Sequence, residues 1–348
     1  MSSIGFGIIG CGNIAPVHAQ SIVEIEGAEL IGVTNVGTWP GAKELAERFD
    51  TTAFDDHRDM LARDDLDVVC LCVPSGARLE VAEECAAAGK HIIAEKPLEV
   101  TTERIDALVS AVDAAGVKLG CIFQYRFADG PCHIHNAITQ GRFGKLVLAD
   151  AYIKWYRDDD YYASGAWRGT KALDGGGVLM NQAIHQIDLL LWYMGPVRSV
   201  TAQTALVGHE GLEVEDLACA MIQFESGAMG VIEASTAIWP GHPARVEVHG
   251  TQGSAVLEDG DITNWQFAKS TPEDDAILAG NAGSATGSGA SDPMKSLNHE
   301  AHRRQIEEFS HAVRDDRAPS IDGREGRRAV ELIEAIYRSA KSNETVML

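Results

Sequence analysis

The stretch IGFGIIGCGNIAP, residues 4 to 16, restricts the architecture more than any other part of the chain. Residues 4 to 9 are apolar enough for a buried strand, and G-x-G-x-x-A follows at 10 to 15 with no intervening loop. Pro16 suits the first turn of a helix running through Ala19 and Ile22. In a strand-turn-helix of this kind Gly10 permits the tight turn, Gly12 lets backbone amides approach a pyrophosphate, and Ala15 keeps the helix close to the strand. Asn13 and Ile14 lie at the helix entry. The motif needs a doubly wound sheet around it. Strand patterns at 28–35, 67–74, 91–97 and 117–123 do alternate with helical patterns at 41–49, 77–88 and 101–115. The expected fold of residues 1–123 is a dinucleotide-binding parallel sheet covered by helices on both faces.

The end of the second strand bears on the cofactor. An Asp or Glu there would bind both ribose hydroxyls of NAD, and an Arg just beyond it would hold the 2'-phosphate of NADP. This chain has Asn35, and no Arg between 36 and 47. NAD is the expectation, with NADP left open through Thr34, Thr38 or Lys43. AEKPLEV, 94 to 100, closes the fifth strand and puts Lys96 at a strand carboxyl end, where ligands of open α/β sheets bind. A surface lysine opposite Glu95 is the alternative.

At 348 residues the chain exceeds one ordinary core and suggests two domains, 1–123 and 124–348, the final helix packing back on the first. A net charge of -22 argues against a nucleic-acid surface and against an anionic membrane surface. No apolar run approaches the ~20 residues needed to cross a bilayer. Seven scattered cysteines without C-x-x-C spacing favour a reducing cytoplasm and neither disulfides nor zinc, so no metal is expected. The aspartate-rich run at 55–67 reads as a solvated helix face.

In DGGGVLMNQAIHQIDLLLWYMG, 174 to 195, Asn181, His185 and Asp188 recur at spacings that share one face of a helix. The stripe reads either as a satisfied polar patch in a core or as the edge of an active site. Asp188 could orient His185 or serve a structural role. Gln124, Tyr125 and Arg126 form a plausible pocket rim, although Arg126 could instead make a structural ion pair. His133 and His135 are spaced so that they could form a metal pair, but read as surface histidines. Trp155, Tyr156, Tyr161, Tyr162 and Trp167 concentrate aromatic faces and polar handles that suit a pyranose ring, or equally an oligomer interface. Arg157, Arg168 and Lys171 beside them could meet a carboxylate or phosphate. The Gly, Ala and Ser-rich stretch 273–297 reads as a flexible loop.

GCGNIA, VPSG at 73–76, AGKHIIAEKPL at 88–98 and the glycine-rich turn leading into N-x-x-x-H together resemble the Gfo/Idh/MocA family of oxidoreductases, and the likeness extends through DGREGRRAVELIEAIYRSA at 322–340. The resemblance implies a Rossmann domain followed by an α+β domain with an open-faced, mainly antiparallel sheet whose outer face serves oligomerisation, in a homodimer or homotetramer. Lys96 matches the family's EKP lysine and His185 the histidine ending its D/N-x-x-x-H motif. Asn181 stands where many relatives have Asp, and Arg78 where a His is common. The implied function is NAD(P)-dependent oxidation of a secondary hydroxyl of a sugar, glycoside or cyclitol, C3 of a pyranose preferred. His185 would be the acid/base, Lys96 the alkoxide-stabilising cation and Asn181 an orienting group. Gly10, Gly12, Asn13, Ile14, Asn35, Pro74, Ser75, Glu95 and Lys96 would hold the cofactor, and Gln124, Arg126, Tyr156, Trp167, Arg168, Asn181 and His185 the substrate. A dinucleotide-binding sugar sensor and a redox-neutral NAD-dependent glycosidase are the rival readings.

Overall fold

The computed structural model describes residues 3–37, 40–280 and 299–348. The chain divides into two compact units, Met1–Gln124 with His299–Arg327, and Tyr125–Asn298 with Arg328–Leu348.

The first unit opens β1 Ile4–Ile9, α1 Ala15–Val23, β2 Ala28–Thr34, α2 Ala42–Phe49, β3 Thr52–Phe54, α3 His57–Leu61, β4 Val68–Leu71, α4 Arg78–Ala87, β5 His91–Ala94, α5 Thr102–Ala115 and β6 Leu119–Cys121. All strands pair in parallel, in the order β3-β2-β1-β4-β5-β6. Every residue of β1 and β4 is buried, as a sheet covered on both faces requires. The order reverses between β1 and β4, which opens a ligand crevice at the carboxyl ends of the strands. β3 was not anticipated. The charge run at 55–67 does contain a helix, but α3 is only five residues long and buries Met60 and Leu61.

The second unit continues with α6 Asp129–Thr139, β7 Leu146–Lys154, α7 Asp159–Ala163, α8 Ile184–Met194, β8 Val197–Ala205, β9 Leu217–Phe224, β10 Met229–Ser235, β11 Arg245–Gly250, β12 Gly253–Glu258, β13 Asp261–Phe267 and α9 Pro272–Gly280. After α10 Glu300–Arg314 and α11 Gly323–Ser342 the chain ends in β14 Val346–Met347. The sheet runs β13-β12-β11-β7-β10-β9-β8-β14 and is antiparallel except where β10 meets β7. Along β9, Ala218, Ala220, Ile222 and Phe224 are buried while Cys219, Met221 and Gln223 are exposed, the alternation of a sheet with one covered face. α8 packs against β7 and β11 and is buried almost all round. The first residues of the stretch expected to be a loop are helical, because Asp274 in α9 accepts from Thr271 N, Trp265 Nε1 and Arg142 Nη2. Residues 281–297 of that stretch lie outside the described residues. Among the described residues no helix is long and apolar enough to cross a membrane.

α10 belongs to the first unit's core. Phe309 is 1% exposed and lies over Gly120, where a Cβ would meet its ring at 2.8 Å. Gln305 one turn earlier donates to Cys121 O and accepts from Phe123 N, satisfying the backbone at the end of β6. Phe309→Ala should therefore lower stability by about 3 to 5 kcal/mol in urea unfolding. A loss below about 1 kcal/mol would show that the helix is peripheral to that core.

Candidate active site

The residues expected to hold the cofactor lie within the first unit at the carboxyl ends of β1, β2, β4 and β5. Gly10 has φ 103°, and a Cβ there would press on the Cys72 carbonyl carbon at 2.6 Å, so the turn after β1 requires glycine. A Cβ on Gly12 would meet no atom within 4 Å, which leaves open space against the backbone. The N-cap residue of α1, Ile14, supplies no capping side chain. Open space beside a glycine at an uncapped helix start suits a pyrophosphate, so these residues fit a dinucleotide. Asn35 is spent on the loop itself: its Oδ1 accepts from Cys11 N at 2.7 Å and its Nδ2 donates to Pro40 O at 3.0 Å. Thr34 is buried, Lys43 is exposed, and Thr38 lies outside the described residues. Pro74 and the buried Ser75 enter a short 3-10 turn after β4.

Glu95 and Lys96 follow β5, with Lys96–Pro97 a cis peptide. Glu95 is 6% exposed. Its Oε2 accepts from Lys96 N at 3.1 Å and its Oε1 from His18 Nε2 at 2.9 Å, with His302 Nε2 at 3.6 Å. Burial pushes the Glu95 carboxyl up, but the two histidines outweigh it and hold it well below the usual carboxylate value. Burial alone would push His18 down; the Cys72 sulfur and the Glu95 carboxylate raise it to about 10. His302, equally buried, is pushed down. These three side chains place possible ligand atoms within 4.8 Å of one another. His18 and Glu95 already meet as a hydrogen bond, however. The Nδ1 atom of His302 is buried without a hydrogen-bond partner among the described residues, where a metal-bound imidazole ordinarily donates to a second group. The cluster is a hydrogen-bonded clamp on Glu95.

In the second unit the helix bearing His185 does not start as a regular α-helix. Val178–Ala183 form a π-helical turn and α8 begins at Ile184, so Asn181 does not lie on the plain α-helical face expected from spacing. At the start of the π-helical turn the Glu215 carboxylate accepts from Gly177 N, Leu179 N and the Tyr337 hydroxyl, pairing amides that a helix start leaves without an intrahelical acceptor. A Cβ on Gly177 would overlap the Glu215 carbonyl, which accounts for the last glycine of the turn. Burial pushes the Glu215 carboxyl up. His185, 8% exposed, stacks on Tyr125 with ring centroids 4.7 Å apart. Asn181 donates to Asp174, a buried residue that also accepts from Gly169 N.

Arg126 goes elsewhere. Its Nε and Nη2 meet Asp188 at 2.8 and 2.6 Å in a buried ion pair, the structural alternative for both residues. His135 is half-buried with its ring stacked on Trp192 at 3.9 Å, which corrects the surface reading. In the aromatic segment, Trp155 is buried under the Arg157 guanidinium, and Tyr156 bridges to Ala237. Arg168 lies over both Tyr161 and Trp167, at 4.3 and 4.5 Å. The Tyr161 hydroxyl accepts from Arg168 Nη1 at 2.7 Å and from Gln182 Nε2 at 3.0 Å. Gln182 escaped the sequence reading although it adjoins Asn181. Glu215 and Asp174 escaped it too, since nothing local marks either as a partner of the turn. Gln124 is buried at the end of the first unit.

The His18–Glu95 pair dictates a pH dependence. His18, raised on folding, contributes stability that is full below about 6.5 and lost as pH rises toward about 10. Glu95, depressed, contributes above its unfolded value of about 4.5 and loses its share in acid. His18→Gln should cost about 3 to 5 kcal/mol in urea unfolding near pH 6, and the gap from the parent should narrow toward pH 10. A gap that does not change with pH would contradict the charged pair. Asp188→Asn should cost a similar ~3 kcal/mol, and Arg126→Met with Asp188→Leu should recover most of it. A double variant no better than the single one would show that the pair is more than structural.

Comparison with known proteins agrees with this geometry. The model of an oxidoreductase family with an NAD-binding Rossmann fold matches residues 4–123, and that of the GFO/IDH/MocA C-terminal domain matches residues 133–256. The uncharacterized oxidoreductase YrbE of Bacillus subtilis is 30% identical over 264 residues, covering 73% of each chain. Inositol 2-dehydrogenase of Rhizobium meliloti is 26% identical over 364 aligned positions, 99% of each. The WlbA dehydrogenase of Bordetella pertussis, solved with NADH and UDP-GlcNAcA, superimposes with a TM-score of 0.90 at 33% identity, covering 100% of this chain and 98% of that one. The chain belongs to the Gfo/Idh/MocA family and is an NAD-dependent sugar or polyol dehydrogenase.

Proposed function

We propose that the enzyme oxidises the C3 hydroxyl of a nucleotide-linked uronic acid, UDP-GlcNAcA or a close analogue, with NAD as acceptor. The observation that carries this reading is the likeness across 100% of the chain, at 33% identity, to a dehydrogenase whose structure holds NADH and UDP-GlcNAcA. Bound NAD supplies a hydride acceptor. The chain's own residues handle the proton and the charge. His185, stacked on Tyr125, removes the hydroxyl proton, a task suited to an imidazole whose ordinary pKa is ~6.5. Lys96 stabilises the alkoxide as it forms. Asn181, tied to Asp174, orients the substrate. Tyr156, Trp167 and Gln124 contribute binding surface, and Arg168 attracts the uronate carboxylate. Arg126 leaves the substrate set because Asp188 takes its fork.

Seven free cysteines support a cytoplasmic setting. The exposed Leu148, Met221 and Met229 on the uncovered sheet face support a homodimer or homotetramer.

Absorbance at the reduced-nicotinamide band, followed with NAD across UDP-GlcNAcA, UDP-GlcNAc, free uronic acids and inositols, should rise fastest with UDP-GlcNAcA. His185→Asn should cut kcat by about 10² to 10⁴ while NADH affinity is kept. Near-normal turnover would remove His185 from the mechanism. Tight NADH binding with no net reduction by any sugar would favour the sensor or the redox-neutral hydrolase.

A further inference from the structure

We infer that Arg78 is a positioning residue for Lys96, holding the backbone on both sides of the lysine from behind the EKP turn. The inference rests on the proposed role of Lys96 in hydride transfer. Arg78 opens α4 and is only 4% exposed. Its Nη1 donates to Glu95 O at 2.5 Å and to Pro97 O, and its Nη2 reaches Lys96 O at 3.5 Å. One guanidinium thus gathers three consecutive carbonyls. The amide of Lys96 is held as well, by the Glu95 carboxylate.

Among the described residues no carboxylate lies within ion-pair distance of Arg78. A buried cation without such a partner is costly, because its lost hydration must be replaced by weaker dipoles. Here the replacement is the set of peptide carbonyls around the lysine. A planar fork with five donors can hold several carbonyls at once; an ammonium on a flexible stem cannot span them equally well. The arrangement leaves the Lys96 side chain as the chief source of uncertainty in where its cation sits. Charge stabilisation is sensitive to that placement, since a displacement of about 1 Å can cost about 10²-fold in rate.

The test compares Arg78→Met, Arg78→Lys and Lys96→Met in the full chain. Single-turnover NADH formation with NAD and UDP-GlcNAcA gives a rate constant independent of the fraction of active protein. Arg78→Met should lower it about 10- to 100-fold, with NADH affinity and substrate KM within about threefold of the parent, and Arg78→Lys should fall between the two. Hydrogen exchange at amides 95–98 should accelerate about tenfold or more in both Arg78 variants, a readout that needs no substrate. Should Arg78→Met fail to fold, Arg78→Lys decides by the same two measurements. A parental rate constant and parental exchange in the Arg78 variants, with Lys96→Met inactive, would overturn this inference alone. A parental rate in Lys96→Met would instead overturn the role of Lys96.

Discussion

The buried Glu95 carboxylate is the interaction on which the rest of the first unit's site depends. It stands at the end of β5, with His18 from α1 and His302 from α10 on one oxygen and the Lys96 amide on the other. A carboxylate in that position would be expensive without a cation, and the bond to His18 provides one where α1 leaves the phosphate-binding turn. The corner thereby links the turn of β1, the end of β5 and the late helix α10 into one charge arrangement. Arg78 adds a second fixed cation on the opposite, carbonyl side of the same peptides. What results is a lysine whose backbone is immobilised before any ligand is present.

In the second unit a different buried carboxylate does comparable work on backbone amides. Glu215 binds Gly177 N, Leu179 N and the Tyr337 hydroxyl, and the segment that follows winds as a π-helical turn before α8. The wider turn changes the angular relation of Asn181 and Gln182 to His185. Gln182 in that turn donates to the Tyr161 hydroxyl, which Arg168 also engages, so the aromatic segment and the turn leading into α8 are joined by hydrogen bonds. The neighbouring ion pair of Arg126 with Asp188 anchors the same helix at its next turn and lies under Trp192.

The parts of this arrangement that were legible in the sequence are those carried by local patterns. Gly10, Gly12 and Ala15 declare the nucleotide turn because a tight strand-to-helix connection has few chemical solutions. The long apolar strands announce themselves for a similar reason. β3 is too short for periodicity to register, and α3 is so short that its buried side, Met60 and Leu61, does not stand out from the charges around it. Arg126 and Asp188 lie 62 residues apart, and Tyr125 and His185 lie 60 apart, so sequence could offer the ion pair only as an alternative. Asn35 reads as a ribose ligand by position, yet the structure shows both ends of its amide engaged by the loops beside it. The π-helical turn has no local signal, and Glu215, which binds the amides at its start, comes later in the chain, in the segment just before β9.

The central claim is that hydride leaves C3 of the sugar ring for NAD, and an isotope label follows that transfer directly. UDP-GlcNAcA deuterated at C3 would be incubated with NAD and the enzyme, and the nicotinamide product analysed by mass and proton NMR. The account predicts one deuterium at C4 of the NADH formed. NADH formed without label would place the oxidation at another carbon, and an absence of NADH with label still at C3 would contradict dehydrogenation of this substrate.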